Sequence, residues 1–464
     1  MNGMEMIEFR EDEISCLACE LPEALKFLKY SGDFEAEIRA ADAYLEKDIP
    51  AVLRRRLELE KVIARVTDGD YCVSYGELKR RITEKYPACG DAELGKIIDA
   101  GYADFIMKDG GMLFLHSAPS NVLNCCEAYL SSLQSGEERA PAPNAMRREN
   151  ERIMREKGYR AVRITVEEKL SVDPDAGIGN RTGEKIRVWL PYPAECEWQS
   201  GITMLGSSHP ATVGRSAQRT AYIETPYVPG DVYSVTFAYT LRVPYFRLDP
   251  AAVTVARPNF HTGEQWPHIR FTPAVLALAA ELRGKGNERN PLILARRAYD
   301  WVTRNVVYSY MREYIAIDNI VEYALLNRRG DCGVQALLFI TLCRAMGVPA
   351  RWQSGSHVKP DSIGSHDWAQ FYVAPWGWLW ADPSFGGGAL RDGDELLWNH
   401  YFGNLDVFRQ INCTEFQAAF DPPKKYLRCD PYDDQSGEAE FVNRGLGFGD
   451  LRKSRRVIGF EELI

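Results

Sequence analysis

Gly330-Asp331-Cys332-Gly333 opens an apolar stretch, Val334 to Met346, that Gly347-Val348-Pro349 closes. Glycine then proline after an apolar periodic run marks a helix end, which predicts Cys332 in the first turn of a buried helix. The positive end of a helix dipole and a nearby imidazolium both favour thiolate over thiol, so a nucleophilic cysteine is expected there. The flanking glycines are read as leaving room for substrate. Cys343, mid-helix in the same run, reads as an ordinary buried thiol. A nucleophilic thiolate needs an acid–base partner, and His366 heads the strand-like run Ser365-His366-Asp367-Trp368-Ala369-Gln370-Phe371-Tyr372-Val373. The next such run ends at Trp380-Ala381-Asp382-Pro383, after the turn Pro375-Trp376-Gly377. Two adjacent antiparallel strands would set Asp382 beside His366, one ring nitrogen donating to the carboxylate and the other facing sulfur. Among the 7 histidines, His357 is the near competitor, but its flanks Gly355-Ser356 and Lys359-Pro360-Asp361 read as loop. The Cys332 backbone N–H is the natural first oxyanion donor. Tyr308, Trp301 and Asn305 are candidates for the second by position alone, with packing as the alternative for each.

The elements that must position these groups fall into three stretches. At 464 residues and roughly 150 residues per domain, two or three folding units are expected. Residues 1–140 read as mainly helical, with Ile38, Ala41, Leu45, Leu53, Leu57, Ile63 and Ala64 at helical spacing and Pro50 opening a helix. Ser74-Tyr75-Gly76-Glu77 has a capping-box pattern, Gly101 can end a helix, and Lys108-Asp109-Gly110-Gly111-Met112 reads as a hairpin turn. Helix, helix, hairpin is a winged-helix-like order, yet the stretch is not basic, so docking or scaffolding is expected rather than DNA binding. A linker is expected at Ser135 to Asn144, where Gly136, Pro141 and Pro143 sit among charges. Across 150–248 the period becomes two: Val162, Ile164 and Val166; Ile186, Val188 and Leu190; Tyr233, Val235, Phe237, Tyr239 and Leu241. These predict antiparallel strands and a small β-sandwich. Residues 250–464 begin with a helix around Leu292 to Val306 and hold the chemistry.

Arg329-Gly330-Asp331-Cys332, Leu342-Cys343-Arg344-Ala345-Met346-Gly347-Val348-Pro349-Ala350-Arg351, His366-Asp367-Trp368-Ala369 and Trp380-Ala381-Asp382-Pro383 together resemble the core motifs of the transglutaminase-like superfamily, over about 290–390. Ile186-Arg187-Val188-Trp189-Leu190-Pro191-Tyr192-Pro193 and Tyr401-Phe402-Gly403-Asn404-Leu405-Asp406 resemble parts of its bacterial members, which include cysteine peptidases. The resemblance implies an α+β fold with a papain-like catalytic core, the cysteine on a helix and the histidine and aspartate on a sheet. Gln370 stands where many members have glutamate.

The function expected is a thiol hydrolase of peptide or isopeptide bonds acting through a Cys332-His366-Asp382 triad and a thioester acyl-enzyme. Amine transfer, as in protein-glutamine acyltransferases, shares that intermediate. Deglycosylation by peptide N-glycanases of this fold goes with paired zinc cysteines, which this chain lacks, and a non-catalytic binding module would normally have lost part of the triad. Asp392-Gly393-Asp394-Glu395 is a weak calcium signal, and Cys16-x-x-Cys19 and Cys125-Cys126 have no second ligand pair at zinc spacing, so no metal or cofactor is expected. A net charge of -9 with only short basic clusters argues against nucleic acid and anionic membranes as partners. The expected partner is a peptide or protein substrate. The chain start lacks a secretory pattern and 11 scattered cysteines form no disulfide framework, which predicts a cytoplasmic location.

Overall fold

The computed structural model describes residues 11–108, 110–135, 144–254 and 258–463. Most of the expected linker (136–143), Asp109 of the expected hairpin turn, and the opening Met1–Glu8 lie outside the described residues. The fold is α+β, as the sequence predicts.

At its centre a five-stranded sheet has the order Phe402–Gly403, Gly377–Ala381, Ser362–Val373, Ala350–Lys359, Arg409–Cys413, each neighbour antiparallel. The helix Cys332–Ala345 lies on one face, where Trp352, Ala369, Phe371 and Leu379 join Val334, Leu338, Phe339 and Leu342 in one apolar core. This helix is buried on every side, and a helix apolar all round has no solvent face to offer. Its start is fixed by Asp331, whose carboxylate accepts from the Val334 N–H at 3.1 Å, a side-chain cap of the usual kind. The opposite sheet face, with Trp368, Trp380 and Ile411, belongs to a second core shared with the strands 159–244.

Those strands form two antiparallel sheets. The first joins Tyr159–Val172 to Tyr233–Pro244 and Gln199–Ser207; the second joins Lys185–Pro191 to Thr220–Pro226 and Ala211–Val213. Their alternating residues Val162, Ile164, Val166, Ile186, Val188 and Leu190 are all buried. The sheets are completed from the far end of the chain, by Leu451–Glu462 along Tyr159–Val172 and by Glu438–Phe441 along Lys185–Pro191. The chain's end therefore crosses the boundary expected at about 250, because each sheet has an edge whose unpaired N–H and C=O groups another strand can satisfy.

In the N-terminal stretch, helices Glu23–Ser31, Phe34–Leu45 and Ala51–Asp70 precede a unit of strand Tyr71–Ser74, helices Tyr75–Lys85 and Asp91–Asp99, and a hairpin of Phe105–Lys108 with Gly111–Leu115. Pro50 precedes Ala51–Asp70, Ser74 accepts from the Glu77 N–H, and Gly101 at φ 79° follows Asp91–Asp99. The two parts pack differently. Ile14, Leu17, Leu59 and Ile63 belong to the core around the Cys332–Ala345 helix, whereas Tyr71, Leu78, Ile82, Leu94 and Phe114 form a core of their own. Among the described residues no helix is long and apolar enough to cross a membrane.

Candidate active site

Strand alternation decides which side chains can meet. In the register of Ser362–Val373 with Ala350–Lys359, His366 stands opposite Gly355 and Asp367 opposite Ser354. Successive side chains on a strand take opposite faces, so His366 and Trp368 share one face and Asp367 and Ala369 the other. The helix that begins at Cys332 lies on the Ala369 face. The partner in contact with the sulfur is accordingly Asp367: the Cys332 thiol donates to its Oδ2 at 3.4 Å. The second oxygen of Asp367 accepts from the Gln435 amide.

His366 and Asp382 meet as the sequence predicts. Nε2 of His366 lies 2.7 Å from Oδ2 of Asp382, both side chains buried. The same Oδ2 accepts from Nη2 of Arg409 at 2.9 Å, and Arg409 is held in turn by Asp406 at 3.0 and 3.1 Å. The other oxygen of Asp382 caps the helix Pro383–Arg391, accepting from the Phe385 N–H at 2.9 Å and from Ser384 Oγ at 3.0 Å. One carboxylate thus does both jobs the sequence allowed it, turn residue and histidine partner. Phe385 stacks on the imidazole with ring centroids 4.1 Å apart, and the Arg147 guanidinium covers Phe385 at 3.6 Å. His366 is left with Nδ1 as its unengaged nitrogen.

No hydrogen bond joins Cys332 to His366. Cys332 lines a cavity of about 380 Å³ with Tyr308, Tyr314, Asp331, Ser365 and Asp367, and His366 lines a neighbouring cavity of about 270 Å³ with Tyr308, Phe385 and Arg147. Tyr308 borders both. A two-residue parallel bridge, Val307–Tyr308 to Arg329–Gly330, pairs it with Gly330, two residues before Cys332, so of the oxyanion candidates it alone reaches the site. Trp301 lies under the Arg328 guanidinium at 4.3 Å, and the Asn305 amide donates to the Trp301 carbonyl at 2.8 Å; neither lines the Cys332 cavity. Their positions at the end of the Pro291–Asn305 helix turn them to packing and capping.

The electrostatics correct one expectation. Burial pushes the Cys332 thiol well above its usual pKa, and the Asp367 and Asp331 carboxylates push it further. Burial also lowers His366, against the pull of Asp382, with Arg409 adding to the lowering. Both shifts favour the neutral form, of thiol and of imidazole, with burial the leading cause in each. Asp382 is ionised: burial would raise its pKa, but His366 and Arg409 bring it below the usual carboxylate range.

The glycines play another part than expected. A Cβ on Gly330 would meet the Val334 side chain, and one on Gly333 would stand 2.8 Å from Asp367 Oδ2 and 3.0 Å from Trp352 while touching the Tyr314 hydroxyl. They admit neighbouring protein groups, not open space for substrate. His357 is strand rather than loop, within Ala350–Lys359. It packs against Phe385 and Phe408, and burial lowers its pKa to about 3. Cys343 is fully buried. Sequence reasoning missed Asp367, Arg409 and Phe385; Asp367 stood inside a quoted motif, and a register count from Ala369 would have found its face.

Residues 277–383 match the family described as the transglutaminase-like superfamily, which bears out the resemblance read from the motifs. No curated protein matches the chain. Among solved structures, one described as "a Putative Cysteine Protease from Cytophaga hutchinsonii" shares 12% identity at a TM-score of 0.36, covering 66% of this chain and 98% of its own. The periplasmic domain of TgpA from Pseudomonas aeruginosa shares 16% identity at 0.27, covering 50% and 98% respectively.

Proposed function

Taking residues 277–383 as a transglutaminase-like core, we propose that the protein is a thiol hydrolase of peptide or isopeptide bonds. Cys332 is the nucleophile, His366 the acid and base, and Asp382 the group that orients His366. The observation that carries this reading is the buried His366–Asp382 pair at 2.7 Å, clamped by Arg409 and set one residue along the strand from Asp367, the group that holds the Cys332 thiol.

Since thiol and imidazole are both neutral at rest, the reaction begins with transfer of the thiol proton to Nδ1 of His366. This requires the sulfur to leave Asp367 and turn towards the His366 side of the strand, past Tyr308, which borders both cavities. The thiolate adds to the amide carbonyl, and the Cys332 N–H at the helix start stabilises the oxyanion. Collapse breaks the C–N bond as His366 protonates the leaving amine, giving a thioester. Water then adds, its proton passing to His366, and the acid product leaves as the thiol is restored. Asp382, ionised throughout, keeps Nε2–H as the donor to its carboxylate and Nδ1 free for the reaction. Peptide or protein substrates suit a transglutaminase-like core.

The test is labelling of the full chain with a panel of peptide and ubiquitin-like electrophiles, followed by mapping of the modified residue. Modification of Cys332, lost in Cys332→Ala and strongly slowed in His366→Gln, is the expected result. Modification of Cys16, Cys19 or Cys413 with Cys332 untouched overturns the assignment.

A further inference from the structure

The cavity of His366 carries more positive charge than its ion pairs use. Arg147, Arg148 and Arg391 line it, against Asp392 and Asp394. Arg148 is taken: it donates to Asp394 at 2.7 Å, and that carboxylate also caps the helix Glu395–His400 through the Leu397 N–H. Among the described residues the guanidinium groups of Arg147 and Arg391 have no acceptor within hydrogen-bond or ion-pair distance, and Asp392, which feels both charges, bonds to neither. Arg391 is exposed, whereas Arg147 is half-buried and held in place. Asn144 caps its helix, Ala145–Lys157, accepting from the Arg147 backbone N–H at 3.1 Å. Its guanidinium lies 3.6 Å from the ring centre of Phe385, and His366 stacks on the same ring at 4.1 Å. Guanidinium, phenyl and imidazole form one stack. Of the Arg147 side-chain nitrogens only Nε is sealed from solvent, so the two Nη groups are the accessible donors.

A cation fixed in a half-closed cavity loses hydration and gains no acceptor in exchange. Stacking on Phe385 offsets part of that loss, but a ring face takes none of the N–H groups that lie in the guanidinium plane. Such a planar fork fits a carboxylate, two donors to two oxygens. The place of that carboxylate in a substrate follows from the chemistry. Cys332 and His366 border neighbouring cavities with Tyr308 between them. The acyl part of a substrate stays with the sulfur, and His366 gives its proton to the leaving amine, so the leaving part lies on the His366 side. An amine within about 3 Å of Nδ1 carries its next carboxylate roughly 3.5 Å further on, one residue's length. That spans the single ring separating the imidazole from the Arg147 guanidinium.

Resting on the thiol-hydrolase reading above, we propose that this cavity is a subsite for a carboxylate on the leaving side of the substrate, carried by the residue that follows the scissile bond as a free C-terminus or as an acidic side chain. Arg147 is the specificity-determining residue, and Arg391 adds charge to the same wall. The contribution is to recognition alone, since neither residue exchanges a proton with the reacting atoms.

The test uses the full chain and pools of acetyl-capped tetrapeptides, mixed in sequence up to the last residue. One pair of pools ends in alanine, as free acid or as amide; the other ends in an amidated aspartate or asparagine. Release of the last residue, read by mass, should be about 10- to 100-fold faster for the alanine acid than for its amide, or for aspartate than for asparagine, the scale of a hydrogen bond to a charged group. The pair that responds tells a C-terminal carboxylate from a side chain. The preference should fall towards unity in Arg147→Gln and be kept in part by Arg147→Lys, each checked for a normal melt. Arg391→Gln should weaken it, and supplies the reading if the Arg147 variants fail to fold. The rise in melting temperature of Cys332→Ala with each pool measures the same preference without the nucleophile. A larger rise with the charged pools there, with no release by the parent, condemns the thiol reading and keeps the subsite. Equal release and equal stabilisation for charged and neutral pools overturn the subsite, as does a preference that Arg147→Gln and Arg391→Gln both leave intact.

Discussion

At the scale of single residues, the sulfur of Cys332 has a partner that opposes its ionisation. Asp367 accepts the thiol's hydrogen bond and disfavours the thiolate, although burial and Asp433 hold its own carboxyl well above the usual range. Alkylation of Cys332 by iodoacetamide should therefore climb by about tenfold per pH unit from neutrality upward, with none of the acid-side plateau of a thiolate–imidazolium pair. Asp367→Asn removes this acceptor and should speed alkylation by about three- to tenfold at the alkaline end of the profile, where the Asp367 carboxylate would carry charge beside the sulfur. A rate that is flat with pH would mean the resting pair is ionised after all. Asp382→Asn carries two consequences because one carboxylate has two duties. Turnover should drop by roughly 10 to 10³ as His366 loses its orientation. The melting temperature should fall as well, since Arg409 loses one of its two buried acceptors, although Asp406 still holds it. The sign with pH follows from a depressed pKa: the stability contributed by Asp382 is present above about pH 4 and is lost as pH falls below it. A variant that melts and turns over like the parent would reduce Asp382 to a helix cap.

At the scale of elements, the site depends on how closely the start of the Cys332–Ala345 helix approaches the strand Ser362–Val373. Gly333 permits that approach, with Asp367 Oδ2 and Trp352 inside the space a Cβ would need. Gly333→Ala should cost about 1–3 kcal/mol by overpacking, and it should reduce turnover further than the loss of folded protein explains, because it moves the sulfur against the strand. Comparing melting temperature with specific activity of the folded fraction separates the two. Gly347, at φ 77° with no atom near its Cβ position, is the contrasting case: Gly347→Ala strains the turn that ends the helix and should lower stability by about 1 kcal/mol while leaving specific activity in place.

At the scale of the whole molecule, distant parts of the chain build the walls of the Cys332 cavity. His116 and Ser117 come from the N-terminal unit and Phe448 from near the end. The N-terminal unit is fastened by Asn121, whose amide donates to the Tyr102 carbonyl and Ser309 Oγ and whose oxygen accepts from the Tyr310 N–H at 2.9 Å. The cavity wall also makes a prediction about stability. Glu313, which lines it, has a raised pKa of about 8, so the folded state favours its proton. Its contribution is full below the unfolded value near 4 and is lost as pH rises towards 8. Glu313→Gln fixes the neutral form and should raise the melting temperature by a few degrees at most at pH 8.5, with the gain vanishing near pH 4. A gain independent of pH would place the cause elsewhere. Deleting 451–464 strips a twelve-residue strand, Leu451–Glu462, from Tyr159–Val172 and leaves a long open edge. The truncated chain should aggregate, and light scattering during expression and purification would register it.

Local signals in the sequence determined much of this. The helix at Cys332 followed from an apolar run and its Gly-Val-Pro stop, the strands from alternating apolar residues, and the nearness of His366 and Asp382 from two short strands joined by a tight turn. Such features depend on residues close in the chain, where periodicity and capping chemistry act. Tertiary structure decided what those signals could not reach. The face of the central sheet on which the Cys332 helix packs gave the sulfur to Asp367; burial, which no short segment reports, weighs against ionisation of Cys332. Arg409 entered the site from a strand added at the sheet edge, and Asp430 and Asp433 entered the cavity from a loop far along the chain. Each is a contact between segments with no shared periodicity, set by which buried faces and unpaired edges found one another as the chain packed.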